Sequence, residues 1–476
     1  MRFTSTRGAG VDRERRRLLG SLAALPLLPG VSMLADTARA QSAGGACTGA
    51  RSIVCLFLAG GADSFNLFVP GGRAYDEYRA TRGELAVGES DLLGVDDAAQ
   101  GGFGFNAALP TFARLYAEGR LSVVSNVGPL TRPTTRSDYL GAVALPQSLF
   151  AHNTQQKLWQ TGAGIVSGST AFGWGGAIAE HAAECNGASP IAPSYSIAGN
   201  ADWLASARTN YISLNADVAV ERMFGHDGRS EFIPGDRLAG VGASLERLID
   251  LAAAERNPLM MRAIGAAVGR ARTTTAALDD QLRANPLSGA SFDRTNKLAN
   301  QLHLVGRLIA SREALGMSRQ VFFVKMGGWD THSDQLERLP AQLAQLEAAT
   351  SMFQGIVDDL GVADSVTAFT ASDFGRTLTS NGNGTDHGWG GHQFVFGGAV
   401  DGGRVVGETP SYAIRDNPDD AGEGDGGFAG RIIPRLSVVQ YAATLSRWMG
   451  MDEGAIARSL PDLANFARTD LGLFRA

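Results

Sequence analysis

The sequence predicts an α/β protein with a mostly parallel central sheet flanked by helices and a helical insertion. Three observations carry this. Arg51-Ser-Ile-Val-Cys-Leu-Phe-Leu-Ala59 is a near-continuous apolar run ending in Gly60-Gly61, as a strand covered on both faces should be. Leu121 to Val127, Gln320 to Met326 and Ser365 to Ala371 repeat that pattern. Between the last two, Leu343, Leu346, Met352, Ile356 and Leu360 fall at helical spacing within 339–360, and strand, helix, strand is the signature of a parallel sheet.

The remaining segments follow from composition. Residues from about 239 to 315 are rich in Ala, Leu and Arg with helical periodicity and are read as a helical insertion or cap. Asp416 to Gly427 is dense in Asp, Gly and Glu and is read as a mobile surface loop. Leu436 to Met449 is expected to be a closing amphipathic helix in which Tyr441 and Trp448 pack. Nothing in 41–476 reads as a linker or repeat, so a single domain is expected there.

The first forty residues read as a twin-arginine export signal. Glu14-Arg15-Arg16-Arg17-Leu18-Leu19-Gly20 places paired arginines ahead of a mildly apolar stretch, and Ala38-Arg39-Ala40 is a small-x-small cleavage site. Pro26 and Pro29 interrupt a segment already short for a membrane span. The mature chain is expected to begin near Gln41, exported folded by the twin-arginine machinery into the periplasm, with no transmembrane segment after cleavage. Loss of the signal removes seven arginines and three acids, leaving 35 basic against 45 acidic residues, a net −10. That balance argues against nucleic acid as a partner. Of the three cysteines, Cys55 lies in a buried strand and is expected to be inert, while Cys47 and Cys185 are candidates for pairing.

The chemistry concentrates in short polar clusters at strand ends, where open α/β sheets bind ligands. Asp63, Ser64 and Asn66 follow the first strand. Asp330 and His332, with Asp334 beyond, follow the run ending at Met326; Asp373 and Arg376 follow the run ending at Ala371. Asp386-His387-Gly-Trp-Gly-Gly-His392 follows a Gly/Asn-rich loop, Ser380 to Thr385. Carboxylate and imidazole together suit a divalent metal. Asp63 and Asn66 would equally serve as a turn or cap. Asp334 would equally start the following helix, and His392, ahead of the strand Phe394-Val395-Phe396, would equally be a strand-start residue with a structural hydrogen bond. Arg376 would either pair an anionic substrate bidentately or bridge to Asp373. There is no G-x-S-x-G, H-E-x-x-H, G-x-x-x-x-G-K-[ST] or G-x-G-x-x-G element in place, which removes serine-esterase, zincin, P-loop and dinucleotide readings.

Taken together, Gly60-Gly61-Ala62-Asp63, Gly328-Trp329-Asp330-Thr331-His332, Ser372-Asp373-Phe374-Gly375-Arg376-Thr377 and Asp386-His387-Gly388-Trp389-Gly390 resemble the DUF1501 family. These are exported bacterial proteins of unknown function, grouped with the alkaline phosphatase and sulfatase superfamily. The resemblance extends to Val438-Val-Gln-Tyr-Ala442 and Trp448-Met-Gly450. It implies an alkaline phosphatase-like fold with one or two divalent ions (zinc, calcium, magnesium or manganese) and a small anionic substrate, a phosphate or sulfate ester. Asp63 and Asp373 would serve one ion, Asp330, His332 and His387 the other, with His392 a further candidate and Arg376 neutralising ester oxygens. Two departures stand out: Phe374 follows Asp373 where alkaline phosphatases have His, and Ala151-His152-Asn153-Thr154-Gln155-Gln156 lacks the serine that relatives carry first. Thr154 or Ser64 would then be the nucleophile, and His152 a substrate or metal contact. A non-catalytic binding or assembly protein that keeps the fold is the alternative.

Overall fold

In the computed structural model, β1 (Arg51–Leu58) turns Ile53, Cys55 and Phe57 into one apolar core and Val54, Leu56 and Leu58 into another. A strand buried on both faces leaves no place for polar alternation, which is why its sequence reads as unbroken apolar. The structure describes residues 47–476 except 144, 163–171, 188, 190, 217–246, 249, 255–256, 414, 423–428 and 476. The expected signal peptide, residues 1–40, and the start of the expected insertion, 239–246, lie outside the described residues. From Gly49 onward the chain is one unit.

The further strands are β2 (Phe68–Pro70), β3 (Leu92–Asp97), β4 (Gly101–Asn106), β5 (Leu121–Gly128), β6 (Ser194–Ser196), β7 (Ile212–Ser213), β8 (Arg319–Met326), β9 (Val366–Ser372), β10 (Arg376–Ser380), β11 (Thr385–His387), β12 (Gly391–Gly397), β13 (Arg404–Val406) and β14 (Leu436–Ser437). The central sheet runs β13-β5-β12-β9-β1-β8-β6-β7, with β14 also on β5. All its pairings are parallel except those of β12, which is antiparallel to both neighbours. The helices Lys297–Ala310 and Gln335–Asp359 pack on one face through Leu302, Val305, Leu343 and Leu346. Trp174–Cys185 and Val438–Trp448 cover the other through Trp174, Ile178, Val439 and Leu445. Each such side chain contributes about 1.5–3 kcal/mol by leaving water.

The α/β class and mostly parallel sheet agree with the sequence reading. Within the expected insertion, the helix Leu259–Ala284 carries exposed Leu259, Met260 and Ile264, whereas Lys297–Ala310 is a core helix of the main layer. Two features were not legible: the antiparallel sheet β2-β4-β3, in which β2 has only three residues and β3 and β4 are rich in Gly and Asp, and the hairpin β10–β11, which makes the Gly/Asn-rich segment its turn. In the acidic loop, residues 423–428 are not described. Of its described acids Asp416 is exposed, whereas Asp419 and Asp420 are buried and structural: Asp420 accepts from the backbone of Gly422, Gly430 and Arg431, and Asp419 pairs with Arg435. Tyr441 donates to the Thr370 carbonyl and Trp448 stacks on Phe474. Cys55 is a buried free thiol whose pKa burial pushes up, consistent with inertness; Cys47 and Cys185 are each disulfide-bonded. Among the described residues no helix is long and apolar enough to cross a membrane.

Register decides where the polar clusters meet. Leu58, the last residue of β1, pairs with Met326 of β8 on one side and Ser372 of β9 on the other. Three strands thus end flush, and the loops carrying Asp63, Asp330 and Asp373 leave the same edge together.

Candidate metal centre

Gly60 makes the convergence sterically possible. Its φ is +121°, and a Cβ there would stand 2.4 Å from the Asp330 amide nitrogen, so the loops after β1 and β8 touch backbone to backbone only because this residue has no side chain. The turn after β8 is tied further by Arg338, which donates to the carbonyls of Asp330 and Gly328. The hairpin β10–β11 then pairs Arg376 with His387 and carries both to the same place.

Three imidazoles converge on the Asp330 carboxylate, arriving from separate elements. His387 Nε2 lies 3.3 Å from Asp330 Oδ1, and His332 Nε2 lies 3.1 Å from the same oxygen. His152, at the start of the helix His152–Thr161, places Nε2 3.4 Å from Asp330 Oδ2. That Nε2 is buried and makes no hydrogen bond among the described residues. Each ring is held from behind by a group that only accepts. His152 Nδ1 donates to Asp373 Oδ2 at 2.6 Å, His332 Nδ1 to Asp386 Oδ1 at 2.9 Å, and His387 Nδ1 to the Phe150 carbonyl at 2.6 Å. A neutral ring whose Nδ1 carries the proton presents a lone pair at Nε2.

Charge in the cluster is set by these contacts. Burial opposes ionisation of Asp330, but the hydrogen bond and charge of Arg376, with His332 and His152 adding, hold its carboxyl below the usual range. Asp386 is likewise held low against burial, by hydrogen bonds from Asn381 and His332. Burial lowers His387, the Phe150 carbonyl only partly opposing. Burial also lowers Arg376, against the pull of Asp330.

The other expected site residues are placed differently. Asp63 is fully buried in a bidentate ion pair with Arg82 and accepts a 2.6 Å bond from Gln335 Nε2. Asp373 has Oδ1 on the Gly60 amide and Oδ2 shared by His152 and Gln156, so it supports a histidine. Ser64 Oγ accepts from the His392 amide, and Thr154 Oγ1 faces Asn153; neither is bonded to the cluster. His392 is a core residue: its ring bonds Ser125 and Tyr412, packs edge-on to Phe65 and Phe68, and burial lowers its pKa to about 3. Arg376 is completely buried, donating to Asp330 Oδ1, to Thr385 and to the Gly60 carbonyl, and makes no ion pair with Asp373. Asp334 caps the helix Gln335–Asp359 in a left-handed conformation and accepts from Asn383. Sequence reasoning missed the support from Asp386, the Phe150 carbonyl, Gln156 and Gln335; only for Asp386, adjacent to His387, was there any signal.

The residues present fit a divalent ion. His332 and His387 bring their Nε2 atoms within 2.8 Å, a separation that two lone pairs hold only around a proton or an ion. Both Nε2 atoms lie within 3.3 Å of Asp330 Oδ1, which gives the ion two imidazoles and a carboxylate; the orphaned His152 Nε2, within 4.8 Å of the ligand atoms of Asp330 and His387, borders that set. A set rich in imidazole with one carboxylate suits zinc or manganese; calcium and magnesium take oxygen ligands.

Among solved structures the chain is similar to the lipoteichoic acid synthase LtaP from Listeria monocytogenes, at 7% identity and a TM-score of 0.32, covering 86% of this chain and 74% of that one. It is similar to the PsFucS1 sulfatase from Pseudoalteromonas sp., at 8% identity and a TM-score of 0.33, covering 94% and 78%. A third, Ps i-CgsB, aligns at 9% identity and a TM-score of 0.36, covering 89% and 77%. No curated protein sequence matches the chain. Residues 243–420, which hold Asp330, His332, Asp373, Arg376 and His387 but not His152, match the model of the DUF1501 family, described as a protein of unknown function.

Proposed function

We propose that the protein is an exported, metal-dependent, hydrolase-like protein acting on phosphate or sulfate esters, with one divalent ion held by Asp330, His332 and His387. One observation carries the reading: three imidazole Nε2 atoms converge on one carboxylate, each ring locked by an acceptor behind it. When bound, such an ion polarises an ester oxygen and acidifies water. The chain's own residues supply the rest. Asp373 fixes His152 so that its bare Nε2 faces the centre and takes the proton of an attacking water. No hydroxyl of Ser64 or Thr154 is bonded to the cluster, so water and not a side chain is the nucleophile in this reading. Arg376 holds Asp330 in place, and Asp386 and the Phe150 carbonyl aim the two histidines. The twin-arginine segment supports export to the periplasm.

The engagement of Arg376, which leaves little of its guanidinium for a substrate anion, favours a second reading as a non-catalytic metal-binding protein. Metal analysis of protein recovered from the periplasm, then assays with aryl phosphate, phosphodiester and sulfate esters, separate the two. The enzyme reading expects about one zinc or manganese per chain, lost together with turnover in His387→Ala. His152→Ala should keep the metal and lose turnover. Bound metal with no turnover on the whole panel selects the second reading; protein that takes up no metal rejects both.

A further inference from the structure

We propose that Gln335 is the positioning residue that sets Asp330 for its ligand role, through a one-directional chain of buried hydrogen bonds beginning at the Arg82–Asp63 ion pair. The inference rests on the metal centre proposed above. Arg82, Asp63, Gln335, Thr385 and Arg376 are each at most 1% exposed. Both Asp63 oxygens face Arg82, so the carboxylate can only accept, and the Gln335 amide must turn Nε2 toward it, at 2.6 Å. Its Oε1 then faces Thr331 and Thr385, whose hydroxyls donate to it at 3.1 and 2.7 Å. With its proton spent, the Thr385 hydroxyl has lone pairs left to accept from Arg376 Nε at 3.1 Å. Arg376 is thereby oriented with Nη1 on Asp330 Oδ1 at 2.9 Å, leaving Oδ2 toward His152.

Every direction in the chain is forced by the one before it. Flipping the amide would set an oxygen against the Asp63 carboxylate and an NH2 against Arg376's own partner. Backbone geometry is committed to the same end: Asp334, at φ +57°, adopts the left-handed conformation that non-glycine residues avoid. That turn starts the helix with Gln335 facing inward instead of toward solvent.

The test compares Gln335→Met, Thr385→Val and the double variant with the wild-type full chain, and uses Gln320→Met, buried at the opposite end of β8, as a control. Three quantities are read: zinc affinity by chelator competition, thermal midpoint, and exchange of the Arg376 Nε–H in metal-free protein labelled with 15N-arginine. Each single variant should weaken zinc about 10- to 100-fold, the double should be no weaker than the worse single, and Arg376 Nε–H should lose its protection. Gln320→Met should lower the midpoint and leave zinc affinity and Arg376 unchanged. Folded variants with unchanged affinity and a protected Nε–H would overturn the proposal. So would effects that multiply in the double variant, or a Gln320→Met that weakens zinc equally. If the wild type binds no zinc, the metal reading fails by itself, and the exchange measurement still decides whether Gln335 orients Arg376.

Discussion

The Nε2 atoms of His332 and His387 lie 2.8 Å apart while their Nδ1 atoms face Asp386 and the Phe150 carbonyl. Two lone pairs hold that distance only around a shared proton or an ion. Ion binding should therefore expel a proton. Zinc affinity is expected to fall as pH is lowered, with about one proton released per ion, measured calorimetrically in buffers of different ionisation enthalpy. Because burial holds His387 below its ordinary value, its share of the competition should set in only at lower pH than for a free imidazole. An affinity that stays flat between roughly pH 5 and pH 8 would contradict the shared-proton geometry.

Asp63 depends on Arg82 for its burial. Arg82→Leu should cost about 3–5 kcal/mol in denaturant unfolding, because it strands a carboxylate in the core. Pairing it with Asp63→Leu should recover much of that loss. A double variant as unstable as the single would show that packing, not charge, is what the pair supplies.

Gly60→Ala drives a methyl group into the Asp330 backbone from a positive-φ position. We expect about 2 kcal/mol of lost stability together with a clear loss of metal affinity, since Asp330 must move. Gly361→Ala, also at positive φ but with no atom within 4 Å of its Cβ, should show the strain alone, with affinity intact.

His392 gives the protein an acid sensitivity unrelated to the metal. Its folded pKa of about 3 lies below the ordinary 6.5, so between those values the unfolded chain binds the extra proton. The contribution is present in full above about pH 6.5 and is lost as pH falls toward the folded value, amounting to about 2 kcal/mol at roughly pH 5. The carboxylates held low, Asp330 and Asp386, lose their contributions only at lower pH, below the ordinary carboxylate value. Substituting His392→Gln should flatten the stability profile between pH 6.5 and 5; an unchanged slope there would rule out His392 as its source.

The polar clusters were legible because each follows a buried apolar strand, and residues of that kind at a strand's carboxyl end mark a ligand edge whatever the partners. Their division of labour was not. Asp63 and Asp330 follow equivalent strands, yet one meets Arg82, 19 residues along the chain in a helix with no motif, and the other meets three histidines. His387 and His392 sit five residues apart in the same glycine-rich run. The β10–β11 pairing carries the first to the cluster, and β12 carries the second between Phe65 and Phe68.

By itself the sequence determined the layered α/β architecture and the set of residues from which a centre is built, because strand burial and strand-end chemistry are local properties of the chain. Tertiary structure alone decided which carboxylate meets three imidazoles and which faces Arg82, and which imidazoles join that cluster and which is core. Those roles depend on sheet register, on hairpin pairing and on hydrogen-bond partners up to 328 residues apart.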